Sequence, residues 1–233
     1  QCSQRTTLGY ASGRPEMSEM QCNPHVPRQQ TMFGQWSLDQ SPSGKAVSRI
    51  SYEETKDLIL NVHYAKRMPS ISYAFGLFEN GSMTGIVTYG SPASPFLCKG
   101  VCGPSYKDLV IELNRLVLIN NKKNEASFLV GTSLKMLPKY KIVVSYADTK
   151  QGHIGYVYQA TNWIFTGTTK PRTDMAGAEG SHSRHSDNNP LNRVDRSPKH
   201  RYLYLLGSKK EKREAKKCLR YIPQPYPKNK ADE

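Results

Sequence analysis

Between residues 72 and 167 the chain reads as a hairpin followed by strand, helix, strand and helix, and this order constrains the fold more than any other feature. Ser72-Tyr-Ala-Phe-Gly-Leu-Phe78 and Thr84-Gly-Ile-Val-Thr-Tyr-Gly90 are β-rich runs joined through Glu79-Asn80-Gly81-Ser82, whose Asn-Gly pair favours a tight turn. Val110 to Ile119 is a long apolar strand interrupted by Glu112, Asn114 and Arg115. After a polar turn over residues 120–124, Glu125 to Leu137 has helical periodicity and stops at Pro138. Lys141 to Tyr146 is a second apolar strand, and Gly155 to Trp163 reads as a further helix ending at Thr166-Gly167. Strand and helix in alternation place neighbouring strands parallel through a right-handed crossover, beside an antiparallel hairpin. The expected class is mixed α/β, with a central mixed sheet and flanking helices.

The flanks are less structured by pattern. Residues 1–48 are rich in Ser, Gln, Gly, Pro and Thr and poor in aliphatic residues, so they read as a mobile arm. Ser51-Tyr-Glu-Glu54 is a capping box that opens a helix from Tyr52 to about Tyr64. Pro92 to Tyr106 reads as a long loop, and residues 170–200 as a second, basic one. Arg201 to Leu206 looks like a late strand, followed by a basic segment to residue 228 and a tail over 229–233. One domain, residues 49–228, is expected to hold the core.

The chain has 233 residues, and Lys plus Arg exceed Asp plus Glu by 33 to 19, a formal charge of +14. That balance suits a polyanion such as nucleic acid, since each neutralised phosphate releases counterions, although an acidic membrane surface or simple solubility fits equally. No apolar run approaches the ~18 residues of a spanning helix, and the start lacks an export leader, so no membrane is expected. The cysteines, Cys2, Cys22, Cys98, Cys102 and Cys218, are odd in number and irregular in spacing. This argues against a disulfide framework and fits a reducing cytoplasm. Cys98-x-x-x-Cys102 approaches zinc-ligand spacing but lacks a second pair. The oligomeric state is left open, a homodimer included.

The order of helix, hairpin, long strand, helix, strand, helix and late strand resembles the GNAT N-acetyltransferase fold. That resemblance implies acetyl-CoA or a related donor, with its pyrophosphate where the long strand turns into the next helix. Lys122, Lys123, Ser127, Gly131 and Thr132 are the candidate contacts there. The glycine-rich turn usual in the family is replaced by Asn121-Lys-Lys-Asn-Glu-Ala126.

A longer run, Ser145-Tyr-Ala-Asp-Thr-Lys-Gln-Gly-His-Ile-Gly-Tyr-Val-Tyr-Gln-Ala-Thr-Asn-Trp163, is similar to the Mom family of phage DNA-modification proteins. His63-Tyr64, Tyr89-Gly90, Cys102-Gly103, Glu112-Leu-Asn-Arg-Leu116, Gly131-Thr-Ser133 and Lys199-His-Arg-Tyr202 extend the resemblance over roughly residues 50–228. It implies transfer of a carbamoylmethyl-type group to the exocyclic amine of adenine in double-stranded DNA, which shields phage DNA from host restriction. It also implies catalytic roles for Asp148, Tyr158, Ser133 and Tyr89, and iron held by His63, Tyr64 and Asp148.

The residues themselves admit plainer roles. Asp148 ends a strand at its carboxyl edge, where open α/β sheets place ligands, and is equally a helix N-cap. Tyr158 is a proton donor or a half-buried core tyrosine. Ser133 sits mid-helix, where serine is often only tolerated, and His63 is a ligand or a satisfied surface histidine. A small-amine N-acyltransferase and a non-catalytic DNA-binding accessory protein are the alternatives. The enzymatic reading expects Asp148, Tyr158 and His63 to converge on one cavity, and scatter of the three on opposite flanks with no hollow between them would contradict it.

Overall fold

The structure, a computed structural model, describes residues 44–175 and 193–228. Its main sheet comprises β1 (Lys45–Arg49), β2 (Tyr73–Glu79), β3 (Ser82–Gly90), β4 (Val110–Leu118), β5 (Ile142–Asp148), β6 (Ile164–Thr168) and β9 (Lys199–Leu205). The spatial order is β1-β2-β3-β4-β5-β9-β6, and the β4–β5 pair alone is parallel. β7 (Arg172–Met175) and β8 (Arg193–Arg196) form a separate antiparallel ribbon.

Local chemistry accounts for most of these elements. Asn80 and Gly81 both have positive φ, 51° and 79°, the signature of the two-residue turn that matches strand twist, and they fix the β2–β3 hairpin. Ser51 and Glu54 complete the capping box of α1 (Tyr52–Asp57), which widens into a π-helical turn over Leu58–Val62. The crossover helix α3 (Glu125–Met136) links β4 to β5 as the alternation requires.

Helices cover both faces of the sheet. On one face Leu129, Val130 and Leu134 of α3 and Tyr158 of α4 (Tyr156–Ala160) pack with Phe75, Tyr89, Leu113, Val143 and Tyr202. On the other, Leu58 and Ile59 lie under Ile86 and Val117, while α2 (Pro95–Cys102) and α5 (Lys209–Lys217) cover Val110, Ile142, Val144 and Leu203. The outcome is the expected mixed α/β class, a central mixed sheet with flanking helices.

Several boundaries differ from the sequence expectation. The arm assigned to residues 1–48 includes most of β1, an edge strand that pairs with β2 from Lys45↔Glu79 to Arg49↔Phe75; residues 1–43 and 229–233 lie outside the described residues. The stretch 92–106 contains α2, started by Pro95 at its first turn, and part of a 3-10 segment over Pro104–Leu109. The helix expected to reach Thr166 stops at Ala160, because Asn162 turns the chain with φ 60° and Ile164–Thr168 pairs with β9. The basic stretch 170–200 contributes β7 and β8 at its ends, with residues 176–192 outside the described residues. Cys98, Cys102 and Cys218 are free thiols.

Candidate active site

Parallel pairing of β4 with β5 covers three rungs, Val110↔Ile142 to Glu112↔Val144. Beyond them the strands part, and a cavity of about 770 Å³ opens in the fork. One cause lies on β4. Thr88 pairs with Arg115 and Tyr89 with Leu113, so Asn114 is an extra, bulged residue that bends the strand just past the last parallel rung. Residues 113–118 of β4 and 145–147 of β5 form the walls, residues 151–158 close one side, and Val62, His63 and Tyr64 form a lip. Such a fork at the carboxyl ends of parallel strands is where open sheets place ligands.

Tyr158 reaches this cavity from α4 and is 7% exposed. Its phenol oxygen lies 2.8 Å from Ser145 Oγ, which is 2.9 Å from the Leu113 carbonyl. Serine has one proton for two contacts, so with the carbonyl as acceptor the phenol donates to Ser145. Burial raises the Tyr158 pKa to about 12, which keeps the phenol protonated. Gly155, with φ 86°, starts α4 against the Tyr202 ring and sets this approach.

Ser133 and Tyr89 lie deeper. Both are fully buried, their oxygens are 2.6 Å apart, and Ser133 Oγ also meets the Val130 carbonyl at 3.0 Å. Neither lines the cavity; together they tie α3 to β3.

Asp148 stands at the end of β5 and does not line the cavity. Its carboxylate meets Lys199 Nζ at 2.8 Å, accepts from Ser197 Oγ at 2.5 Å, and caps the following 3-10 turn through the Lys150 N–H at 3.0 Å. Burial pushes its pKa up, but the Lys199 ammonium and the Ser197 hydroxyl outweigh that and hold it below the usual carboxylate value. Of the three side chains expected to converge, the phenol and the imidazole share one cavity, whereas the carboxylate does not line it, because Lys199 and Ser197 hold it at the end of β5.

Two residues that carried no individual role in the sequence stand at the root of the fork. Glu112 occupies the last parallel rung, and burial raises its pKa to about 7 against the opposing pull of Arg115 and Lys199. Arg115 lines the cavity, donates to the carbonyls of Asn114 and Arg67, and has a buried Nε with no hydrogen-bond partner among the described residues. An acid and a base spaced three apart inside an apolar strand were the available signal.

The model of the Mom protein family matches residues 45–228, from the first strand of the sheet to the last described residue. The chain belongs to the Mom protein family. It is 26% identical over 204 residues to the methylcarbamoylase Mom of Escherichia phage Mu, covering 78% of this chain and 83% of that protein. Among solved structures, an N-acetyltransferase from Staphylococcus aureus Mu50 is similar over 70% of this chain and 99% of its own, with 18% identity and a TM-score of 0.43. A GNAT-family acetyltransferase from Bacillus cereus is similar over 70% and 99%, with 13% identity and a TM-score of 0.39.

The iron implied by the Mom resemblance does not fit the residues assigned to it. His63 Nδ1 accepts the Ala65 N–H at 3.0 Å, so the neutral ring carries its proton on Nε2 and offers no free lone pair. Burial, with the Arg115 charge adding to it, lowers the His63 pKa to about 4, a setting that disfavours a further cation. Asp148 is engaged by Lys199, and no group of three His, Cys, Asp or Glu among the described residues is arranged to hold a metal.

The turn assigned to a coenzyme pyrophosphate fits it poorly as well. The carboxylate of Glu125, 1% exposed, already sits at the start of α3, bound by Lys45 Nζ at 2.8 Å and the Lys122 N–H at 2.9 Å. Lys122 Nζ is paired with Glu79, Ser127 donates to the Asn124 carbonyl, Thr132 is buried, and Gly131 faces Thr161. Lys123 is exposed beside this turn. A second anion here would face the Glu125 charge.

Proposed function

We propose that the protein is a DNA-modifying transferase that places a carbamoylmethyl-type group on the exocyclic amine of adenine, protecting phage DNA from host restriction. The observation that carries this reading is the Mom-family match over the whole described sheet, joined to a cavity in the β4–β5 fork walled by Ser145 and Tyr158. The formal charge of +14 supports a polyanionic substrate.

An amine paired within the duplex is out of reach, so the adenine is turned out of the stack and into the fork. The amine nitrogen bonds to the transferred carbon as the donor's leaving group departs, and the amine gives up one proton. Glu112, on the last parallel rung and just behind the cavity lining, is the acid whose proton affinity suits accepting it, with burial raising its pKa to about 7. Arg115 supplies positive charge on the cavity wall, and Tyr158, held by Ser145, orients the reacting groups. Asp148 fixes the rim through Lys199, while Ser133 and Tyr89 hold α3 in place. Acetyl-CoA by itself would deliver an acetyl group, because its thiolate leaves from the carbonyl carbon, so a carbamoylmethyl product calls for a related donor that carries the amide nitrogen and a leaving group on the transferred CH2 carbon.

Nucleosides digested from the DNA of cells producing the protein test the reading. A deoxyadenosine heavier by the transferred group is expected, and its absence with soluble protein present contradicts it. Acetyl-CoA turnover on small amines without DNA would point instead to an ordinary N-acyltransferase.

A further inference from the structure

The lip of the fork cavity is aromatic in a way that the metal-ligand role does not explain. The π-helical turn ends at Val62, and His63 has already left it, with φ −69° and ψ 133°. This lets the adjacent rings of His63 and Tyr64 stack, with centroids 4.3 Å apart and planes 28° apart. On a continuing helix consecutive side chains diverge by about a quarter turn or more, so the stacked pair depends on this exit. Tyr64 is 53% exposed, and Val62 and Tyr156, on the same cavity, are also large apolar side chains left exposed. Exposed apolar groups gathered at the mouth of a cavity mark a binding surface more than a solvated one.

The charges around this lip select the ligand class. None of the described residues lining the cavity is Asp or Glu, whereas Arg115 lines it and Lys66 and Arg67 follow Tyr64 on the same strap. The strap is fixed beside the cavity by the Lys66 N–H to His63 carbonyl bond at 2.9 Å and the Arg115 guanidinium to Arg67 carbonyl bond at 2.8 Å. At this mouth a cationic amine or a metal ion finds no carboxylate, since Glu112 stands at the root of the fork and off its lining. A flat ring with an attached phosphate finds both a stacking face and positive charge.

We infer that the stacked His63–Tyr64 pair is a platform that receives the unpaired base of a DNA strand at the cavity mouth, with Lys66 and Arg67 meeting the adjoining phosphate. This rests on the DNA-modifying reading and assigns the substrate contact within it. His63 acts through its ring face and its bond to the Ala65 N–H, and Tyr64 through its ring. The phenol oxygen of Tyr64 is dispensable.

The test uses the full chain and two labelled duplexes of the same sequence, one fully paired and one with a single bulged adenine. The wild-type protein should bind the bulged duplex roughly tenfold or more tightly than the paired one. Tyr64→Ala should lose that preference, while Tyr64→Phe and Tyr64→Trp should keep it. Equal binding of the two duplexes by the wild type overturns the platform, as does loss of preference in Tyr64→Phe to the same extent as in Tyr64→Ala. The nucleoside digest separates the two claims. Modified adenine without bulge preference removes the platform alone; bulge preference without modified adenine supports the platform and removes the transferase reading.

Discussion

Tyr158 on α4 and Ser145 on β5 meet at 2.8 Å across the wall of the fork, and the serine continues the contact to the carbonyl of Leu113 on β4 at 2.9 Å. This short chain of hydroxyls spans the opening left where β4 and β5 stop pairing. It couples the position of a buried phenol to the width of the cavity.

Tyr158→Phe removes one end of that chain. Ser145 keeps its carbonyl acceptor, so no buried donor is stranded and the stability loss should be only about 1 kcal/mol. Modification of adenine should fall at least ~10-fold if the phenol orients the reacting groups, a drop worth about 1.4 kcal/mol of barrier. Thermal melting and the nucleoside digest measure the two effects separately.

Gly155→Ala should be far more damaging to the fold. Gly155 has φ 86°, and an added Cβ would lie 2.5 Å from the Tyr202 ring. Left-handed strain and overpacking together should cost roughly 2–4 kcal/mol, seen as a lower denaturation midpoint. A melt equal to wild type would mean that α4 does not start where the structure places it.

Asp148→Asn tests the rim by pH. The carboxyl is held below its ordinary value, so as pH falls the unfolded chain takes up the proton first. The stability it contributes is complete above about pH 4 and is lost as pH falls through the folded-state value. The variant should lose that part of the acid dependence and melt slightly lower near neutrality, by about 1 kcal/mol, since Lys199 is partly solvated. Melting curves between pH 3 and pH 7 check this.

Glu112→Gln should show the opposite pH trend. The Glu112 pKa is raised to about 7, so between its unfolded value and pH 7 the folded chain holds the extra proton. Its contribution is complete at low pH and disappears as pH rises through 7. Replacing the buried charge by an amide should therefore stabilise the protein at pH 8, by on the order of 2–3 kcal/mol relative to its effect at pH 5. Modification by the purified protein should drop sharply at pH 8, where the wild-type acid is ionised, and much less at pH 5, where it is already protonated. Melts at the two pH values, with the digest, separate a catalytic proton acceptor from a merely buried acid.

The parts of the fold written in local chemistry were legible. Asn80-Gly81 specified its turn, Ser51 with Glu54 specified a helix start, and the apolar runs of β4 and β5 around α3 specified a parallel pair. β6 was not legible, because Trp163, Ile164 and Phe165 continue the apolar pattern of the preceding helix. Its strand state comes from pairing with Leu203 and Tyr202, about 40 residues away. β1 was lost for a related reason: among its five residues Val47 alone is buried, too little pattern to stand out from the polar stretch before it.

Within the site, Tyr158 and His63 could be placed on one cavity from the family resemblance, and Asp148 came close to it. The diversion of Asp148 to Lys199 and Ser197 depends on β9 lying next to β5, a long-range pairing. Glu112 reads in sequence as a polar interruption of an apolar strand. Only the fold shows that it stands on the last rung before the strands part.

The most direct test of the account narrows the fork and follows the product. Ala126, half-buried in the first turn of α3, lines the cavity, so Ala126→Trp should fill it from the edge while leaving the sheet intact. DNA from cells producing the wild-type chain is expected to yield a heavier deoxyadenosine, and DNA from cells producing an Ala126→Trp protein of unchanged melting temperature is expected to yield almost none. Unmodified deoxyadenosine from the wild type, or full modification by the well-folded variant, would contradict the assignment of adenine chemistry to the β4–β5 fork.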